Sequence, residues 1–324
     1  MSACLVTGGA GFIGSHLVTA LVREGRKVRV LDDLSTGSLR NLVHVEKSVE
    51  FMEGDASDPA VALAAVDGID TVFHEAALPS VVRSIEAPLE THHNCVTSTV
   101  ALLDAARRKG VRRFVYAASS SAYGDQEQSV KVESLENRPL SPYAAAKLAG
   151  EYYCKAFAAS FGLETVCLRY FNVFGPRQDP ASPYSAVIPL FITKMLKGER
   201  PAIYGDGTQS RDFTFVENVV HGNLRAAAAP AENVKGRVFN VAMGDSITLL
   251  DLINALNVEL GTNIEPRFAP RRTGDVLHSL ADIGAARQLL GYNPPVALAE
   301  GLRRTIEYYR TWVAAQSPAA VAAN

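Results

Sequence analysis

The chain has 324 residues, with 32 Lys and Arg against 34 Asp and Glu, 48% hydrophobic and 20% charged. That length suggests one large or two modest domains at ~150 residues each, with a core that removes nearly ~75% of the unfolded surface from water. The near-neutral balance excludes an electrostatic case for nucleic acid as main partner, and no apolar run approaches the ~20 residues of a membrane span. Cys4, Cys95, Cys154 and Cys167 are scattered, without a CxxC or a metal-like spacing. The expectation is reduced, buried thiols, no metal site and a cytoplasmic location. Met1 runs almost directly into Leu5-Val6-Thr7-Gly8, so no cleavable leader is expected.

Short β-branched runs alternate with longer helix-period segments through the first half. Leu5-Val6-Thr7 precedes a helix-like stretch from Ile13 to Glu24. Strand-like pieces follow at 28–31, 49–51 and 71–74, then a helix from about Thr97 to Arg108 and a strand at Phe114-Val115-Tyr116. This tempo predicts an α/β fold, a doubly wound parallel sheet with right-handed crossovers. The rhythm changes after Asn172: segment 173–212 is rich in Pro, Gly, Tyr and Asp, as loops that shape a site would be. Strand and helix pieces return around 213–229 and 236–243. Segment 245–312 reads as a small mixed α/β piece, broken by Pro294-Pro295 before a final helix at 298–312. The expected division is a dinucleotide-binding domain, 1–172, also receiving about 213–243. A smaller substrate domain takes 173–212 and 244–312, and 313–324 is a frayed tail.

Gly8-Gly9-Ala10-Gly11-Phe12-Ile13-Gly14 sits after a predicted strand and opens a predicted helix. Gly8 can turn tightly, Gly11 admits a pyrophosphate to the backbone, and Gly14 lets the helix pack on the strand. The helix N-terminus then offers N–H groups and a positive dipole end to phosphate. A plain glycine-rich turn is the bland alternative, and the strand-before, helix-after context argues against it. Asp32 ends the next strand, where an acid can accept both hydroxyls of an adenosine ribose and repel a 2′-phosphate. Asp33 rather than an arginine follows, which favours NAD over NADP. A solvated strand-end acid is the other reading. Asp55 is a candidate adenine contact at the third strand's end.

Ser141-Pro142-Tyr143-Ala144-Ala145-Ala146-Lys147 starts a helix and places Tyr143 and Lys147 on one face. A phenol with a pKa of ~10 is a poor base at neutral pH; a nearby ammonium and an oxidised nicotinamide ring both favour phenolate. The strand at 114–118 ends in Ser119-Ser120-Ser121-Ala122-Tyr123-Gly124. In an open parallel sheet this edge borders the ligand crevice, so a hydroxyl there can orient a sugar oxygen toward Tyr143. Ordinary turn chemistry explains at least one of the three serines. His92-His93 has no third ligand at metal spacing and reads as surface or packing.

Taken in order, the glycine loop from Thr7 to Gly14, the Ser119–Gly124 strand end, Tyr143-x-x-x-Lys147 and Arg169-Tyr170-Phe171-Asn172 resemble an extended short-chain dehydrogenase/reductase acting on nucleotide sugars. The likeness covers nearly all of residues 3–312. It implies Ser119 as the catalytic hydroxyl, Tyr143 as base, and Lys147 as its activator and ribose anchor. Bound NAD would also touch Phe12, Ile13, Ala56, Ala76 and Tyr170, and Asn172 would sit near a substrate diphosphate. Dehydratases of this kind carry Thr-Asp-Glu where this chain has Ser119-Ser120-Ser121, and decarboxylases carry a nearby Glu that this stretch lacks. With no second acid–base pair in view, the expected chemistry is C4 epimerisation, with hydride out and back at one carbon.

A closer resemblance, to bacterial UDP-N-acetylglucosamine 4-epimerases, lies in Phe171–Pro180, Tyr184–Pro189, Tyr204–Phe213 and Arg272–Ser279. It implies Arg211 and Arg272 as a diphosphate clamp, Asp275 on the uridine ribose, and Ser120, Ser121, Val187 and Tyr204 lining the sugar site. Each arginine reads otherwise as a surface ion-pair member. Ser279 aligns with the residue that limits pocket size: small where N-acetyl sugars are accepted, a bulky tyrosine where they are not. Its alternative is a helix N-cap before Leu280-Ala281-Asp282. The substrate is thus expected to be UDP-GlcNAc/UDP-GalNAc or the matching uronic acids, with UDP-glucose or UDP-glucuronate, and a non-catalytic NAD-binding regulator, as rivals. Tyr152, Tyr153, Phe157 and Phe161 belong to the core or, as the resemblance implies, to a two-fold homodimer interface.

Overall fold

Strands whose two faces are both covered need a nearly continuous apolar run, and Arg113–Ser119 supplies one in Phe114–Ala118, its buried Arg113 being paired with Glu164 and the Ala226 carbonyl. The computed structural model describes residues 2–180, 187–270 and 277–316. Seven parallel strands form its main sheet: β1 (Ala3–Thr7), β2 (Lys27–Asp32), β3 (Val49–Glu53), β4 (Thr71–His74), β5 (Arg113–Ser119), β6 (Glu164–Tyr170) and β7 (Arg237–Val241). Their spatial order is β7-β6-β5-β4-β1-β2-β3, which is the doubly wound sheet expected. The order reverses between β1 and β4, and ligands bind such sheets at that switch point, outside the carboxyl ends of the strands. Val6, Val30, Phe73, Val115 and Leu168 fill the core on one face; Leu5, Val72, Phe114, Tyr116 and Cys167 fill it on the other.

The first helix, Phe12–Arg23, begins one residue before the expected start, directly on the glycine loop. The helix Pro142–Phe161 starts with Ser141 as N-cap, its side chain accepting from the Ala144 N–H, and Pro142 in the first turn. Both helices therefore begin beside the carboxyl edge of the sheet.

The second core gathers Phe174, Phe191, Ile203, Phe215, Leu252, Leu302 and Ile306. Segment 173–212, read as loops, also holds a helix at Val187–Leu196 and a strand at Ala202–Tyr204. Val187-Ile188-Pro189-Leu190-Phe191-Ile192 is apolar throughout, so it showed no helical period to read. A four-stranded sheet brings together Ile247–Thr248, Ser210–Arg211, His278–Ala281 and Val130–Lys131, in that order. Ile283, Ala286, Leu290 and Tyr292, from the stretch expected in the substrate unit, pack in the main-sheet core. The final helix runs Leu298–Ala315, past the expected end at 312, because Val313-Ala314-Ala315 continues it without a breaker. The remainder of the expected tail, 317–324, lies outside the described residues. Among those described, no helix is long and apolar enough to cross a membrane.

Candidate active site

The residues singled out for a dinucleotide line one edge. Gly8 follows β1, Asp32 ends β2, Asp55 follows β3, Ala76 follows β4, and Ser119 and Tyr170 end β5 and β6. At Gly8 (φ +65°) an added Cβ would stand 2.7 Å from the Ala76 nitrogen, and at Gly14 it would collide with the Gly8 carbonyl oxygen. The loop is thus drawn tight, as a backbone that must approach a pyrophosphate requires. Gly11 is the N-cap and has no side chain to occupy the first N–H groups of the helix, which leaves them for an anion. The Asp32 carboxylate, almost fully buried, accepts from the Ala10 N–H (2.8 Å) and the Leu34 N–H (2.9 Å). Burial raises its pKa while those two bonds lower it. These are the features a dinucleotide site needs, and the loop fits NAD.

Beneath the loop, a hydrogen-bond relay fixes the end of β4. Thr99 Oγ1 donates to the Cys95 carbonyl and so accepts from His74 Nε2 (2.9 Å); His74 Nδ1 then takes the Thr7 hydroxyl (2.7 Å), whose oxygen accepts the Ala76 N–H (3.3 Å). Burial pushes His74 down to about 3, so it stays neutral. Asp55 is tied to its own turn: it accepts from the Ser57 N–H (2.8 Å) and pairs with His93 Nε2 (3.1 Å). His93, given no role from sequence, is therefore a partner of a candidate cofactor residue. Ala56, next to Asp55, is buried.

Tyr143 and Lys147 stand four apart on their helix, as the spacing predicts. Lys147 is buried; its Nζ donates to the Ala117 carbonyl of β5 (2.8 Å) and lies 5.1 Å from the centre of the Tyr116 ring. Burial lowers its pKa, while Cys95 and Glu75 raise it. Burial, with Cys95 and Glu75, pushes the Tyr143 phenol well above its ordinary value, and a side-chain hydrogen bond with Ser119 lowers it. The Ser121 hydroxyl and N–H both point to Ser119 Oγ, at 2.8 and 3.2 Å. Ser119 and Tyr143 thus share a hydrogen bond, Lys147 stands one helical turn from Tyr143 with its Nζ on the strand that ends in Ser119, and Ser120 and Ser121 lie in the short turn beside them.

Glu75 is the residue the sequence reading missed. It follows β4, and its carboxyl accepts the Tyr170 hydroxyl (2.7 Å), which in turn accepts from Asn223 Nδ2 (2.8 Å). Burial pushes this carboxyl up to about 7, against the pull of Tyr170 and Lys147. A charged residue next to the apolar run Thr71-Val72-Phe73 was the available signal.

Across the cleft, Asn172 takes a left-handed conformation (φ 35°), and its Nδ2 donates to the Asp212 carbonyl (3.0 Å). Arg211 is paired in register with Ser279, and its guanidinium donates to the Ser210 and Leu277 carbonyls. Ser279 lies within the strand His278–Ala281, while the next helix starts at Gly284 with Ile283 as N-cap. The expected capping alternative for Ser279 is therefore wrong: parallel pairing with Ser210–Arg211 holds this stretch extended. Tyr204 ends the strand Ala202–Tyr204, and Val187 opens its helix against the second core. Arg272 and Asp275, like Tyr184, lie outside the described residues.

A parallel sheet with a dinucleotide loop at its switch point and a Ser–Tyr–Lys group at its edge defines a dehydrogenase-type enzyme site. The family described as NAD dependent epimerase/dehydratase matches residues 4–242. The chain belongs to that family; it is an isomerase and its cofactor is NAD. It is 40% identical, over 94% of its length and 98% of the relative's, to a UDP-glucose 4-epimerase of Mycolicibacterium smegmatis. Its structure matches a UDP-N-acetylglucosamine 4-epimerase from Methanobrevibacter ruminantium in complex with UDP-N-acetylmuramic acid, with TM-score 0.91 and 39% identity over 96% of this chain and 99% of that one. A UDP-glucuronic acid 4-epimerase from Bacillus cereus, in complex with UDP-glucuronic acid and NAD, gives TM-score 0.88 and 32% identity over 96% and 99%.

Proposed function

We propose that the protein is a UDP-sugar 4-epimerase acting on UDP-GlcNAc and UDP-GalNAc, or on the matching uronic acids. The observation that carries the epimerase reading is the Ser119–Tyr143–Lys147 group at the carboxyl edge, with no further acid in the serine turn to drive an elimination. NAD, when bound, supplies the acceptor and later the donor of a hydride at the sugar's C4; Gly8, Gly11, Phe12, Ile13, Gly14, Asp32, Asp55, Ala56, Ala76 and Tyr170 would hold it. Tyr143 takes the proton of the 4-hydroxyl as the C4–H bond is lost, leaving a 4-keto sugar. Ser119 holds that oxygen and Lys147 stabilises the phenolate. The keto sugar turns over in the cleft, and Tyr143 returns its proton to O4 as hydride returns to the opposite face.

Asn172 and Arg211 with Arg272 would meet the diphosphate, and Asp275 the uridine ribose. Tyr204, Val187, Ser120 and Ser121 would line the sugar. A forked guanidinium suits a diphosphate better than lysine does. Residues 1–172 with 213–243 serve as the NAD domain, with Ile283, Ala286, Leu290 and Tyr292 packed into its core, and 173–212 with the rest of 244–312 as the substrate domain. We read the working form as a cytoplasmic homodimer, with the exposed Tyr152, Tyr153 and Phe161 at its interface.

The acetamido preference rests on Ser279, a small side chain beside Arg211. Since the sugar must occupy two flipped poses, a bulky wall residue can spare one and block the other. The second reading, a plain UDP-glucose epimerase, is favoured by the Mycolicibacterium relative. Separate incubations with UDP-GlcNAc, UDP-GlcNAcA, UDP-Glc and UDP-GlcA, each resolved from its galacto epimer, decide between them. Ser279→Tyr should then abolish turnover of acetylated sugars and leave UDP-Glc turnover measurable. Unchanged acetyl-sugar turnover in that variant sinks the gatekeeper role.

A further inference from the structure

Three strand ends place an unused acid beside the candidate base. In register, Ser119 of β5 faces Tyr170 of β6 and Tyr116 of β5 faces His74 of β4, so Glu75 and Tyr170 flank the end of β5 on opposite sides. Tyr170 reaches Glu75 and hydrogen-bonds it at 2.7 Å. The ionisable groups around Glu75 are Tyr170 from β6, and Lys147 and Tyr143 from the helix Pro142–Phe161; both of those helix residues also face the buried Cys95, and Lys147 faces Cys154. On its own strand, His74 is neutral and engaged with Thr7 and Thr99. Asn223, from the helix Val216–Ala228, contributes an uncharged amide.

We propose that Glu75 and Tyr143 compete for the positive charge of Lys147, so that Glu75 sets the pH range in which the Tyr143 phenol gives up its proton. In a buried pocket one ammonium can offset one neighbouring anion well, and a second anion there meets repulsion that water does not screen. While Glu75 is a carboxylate, Lys147 is partly neutralised and phenolate is harder to form. Once Glu75 is neutral, the lysine serves Tyr143 alone. The charge on Glu75 therefore shifts the midpoint of Tyr143 upward. Burial places the Glu75 step at about 7, inside the working range of a neutral-pH enzyme. Glu75 acts on the reacting proton only through Lys147 and Tyr143, which makes it a positioning residue.

Glu75→Gln removes the charge, keeps the volume and leaves an oxygen to accept from Tyr170. In the full NAD-loaded protein, Tyr143 ionisation is read as the ultraviolet difference spectrum of tyrosinate, after subtracting the same titration of Tyr143→Phe. Compared with the parent, Glu75→Gln should lower the midpoint by about one pH unit, the low end for a neighbouring charge. The acid limb of kcat/KM should move in the same direction, with bound NAD unchanged. An unmoved midpoint overturns the competition. A raised midpoint overturns it as well, since Glu75 would then act chiefly by keeping Lys147 charged. The inference rests on Tyr143 being the base. Should the spectroscopic midpoint fall while the activity limb stays put, the competition stands and the base assignment fails.

Discussion

On the parallel-sheet side of the cleft, Ser119 comes from the end of one strand and Tyr143 and Lys147 from the helix Pro142–Phe161, all set by seven strands paired over up to seven residues. On the other side, Arg211 and Ser279 meet in a sheet whose strands are as short as two residues, drawn from positions 130, 210, 247 and 278 of the chain. On the function proposed above, chemistry that must hold a proton within hydrogen-bond reach falls to the stiff, locally encoded side. On that same proposal, recognition of a sugar, which must leave room for a turning ring, falls to the side assembled from remote pieces. Damage to the first should therefore appear as lost stability or kcat, and damage to the second as altered KM or substrate choice.

The largest expected effect breaks the stiff side from within. Arg169 of β6 donates through Nε and Nη2 to the Glu151 carboxylate (2.8 and 2.7 Å) and through Nη2 to Asn137 (2.7 Å), and it stacks on the Tyr123 ring. Arg169 and Glu151 are only 2% and 1% exposed. Arg169→Met would strand a buried carboxylate and should cost about 3–5 kcal/mol in urea unfolding. Adding Glu151→Leu should recover much of that loss. If the double variant is no more stable than the single one, the pair is not what ties helix to sheet. Next in size is Tyr143→Phe, which deletes the phenolic oxygen and nothing that packs. Turnover should fall by at least ~10²-fold, with bound NAD and the unfolding midpoint retained. Near-normal turnover would remove Tyr143 from the mechanism.

The same contrast explains what could be read from sequence. The glycine loop, Asp32 and the Tyr143–Lys147 pair were legible because each needs only a strand, a turn or one helical repeat to acquire its geometry. Glu75 was not, because its meaning depends on Tyr170 and Lys147 arriving from later strands and helices. Ser279 was given a helix alternative because nothing local announces that it pairs beside Arg211. The helix Val187–Leu196 escaped because a segment buried on most sides has no polar face to mark its period. Local spacing thus carried the cofactor and the candidate base, while long-range pairing decided the rest.

The smallest effect tests the assembled side. Thr248 ends the short strand that pairs with Ser210–Arg211 and is also the N-cap of the helix Leu249–Leu260. Its Oγ1 accepts the Asp251 N–H (3.0 Å), while the Asp251 carboxylate accepts both the Thr248 N–H (3.1 Å) and hydroxyl (2.6 Å). The strand and the helix are thereby locked at one residue, and Arg211 sits on the neighbouring strand. Thr248→Ala deletes the hydroxyl's part of this box and should cost about 1 kcal/mol, the usual worth of a cap. Because the loss is confined to the small sheet, it should reach the reaction only through the looser seat of Arg211. The KM for the UDP-sugar should then rise by no more than about fivefold, the factor to which ~1 kcal/mol corresponds, with kcat unchanged. A fall in kcat at constant KM would mean that this sheet positions the reacting carbon as well, and the division of labour between the two sides would not hold.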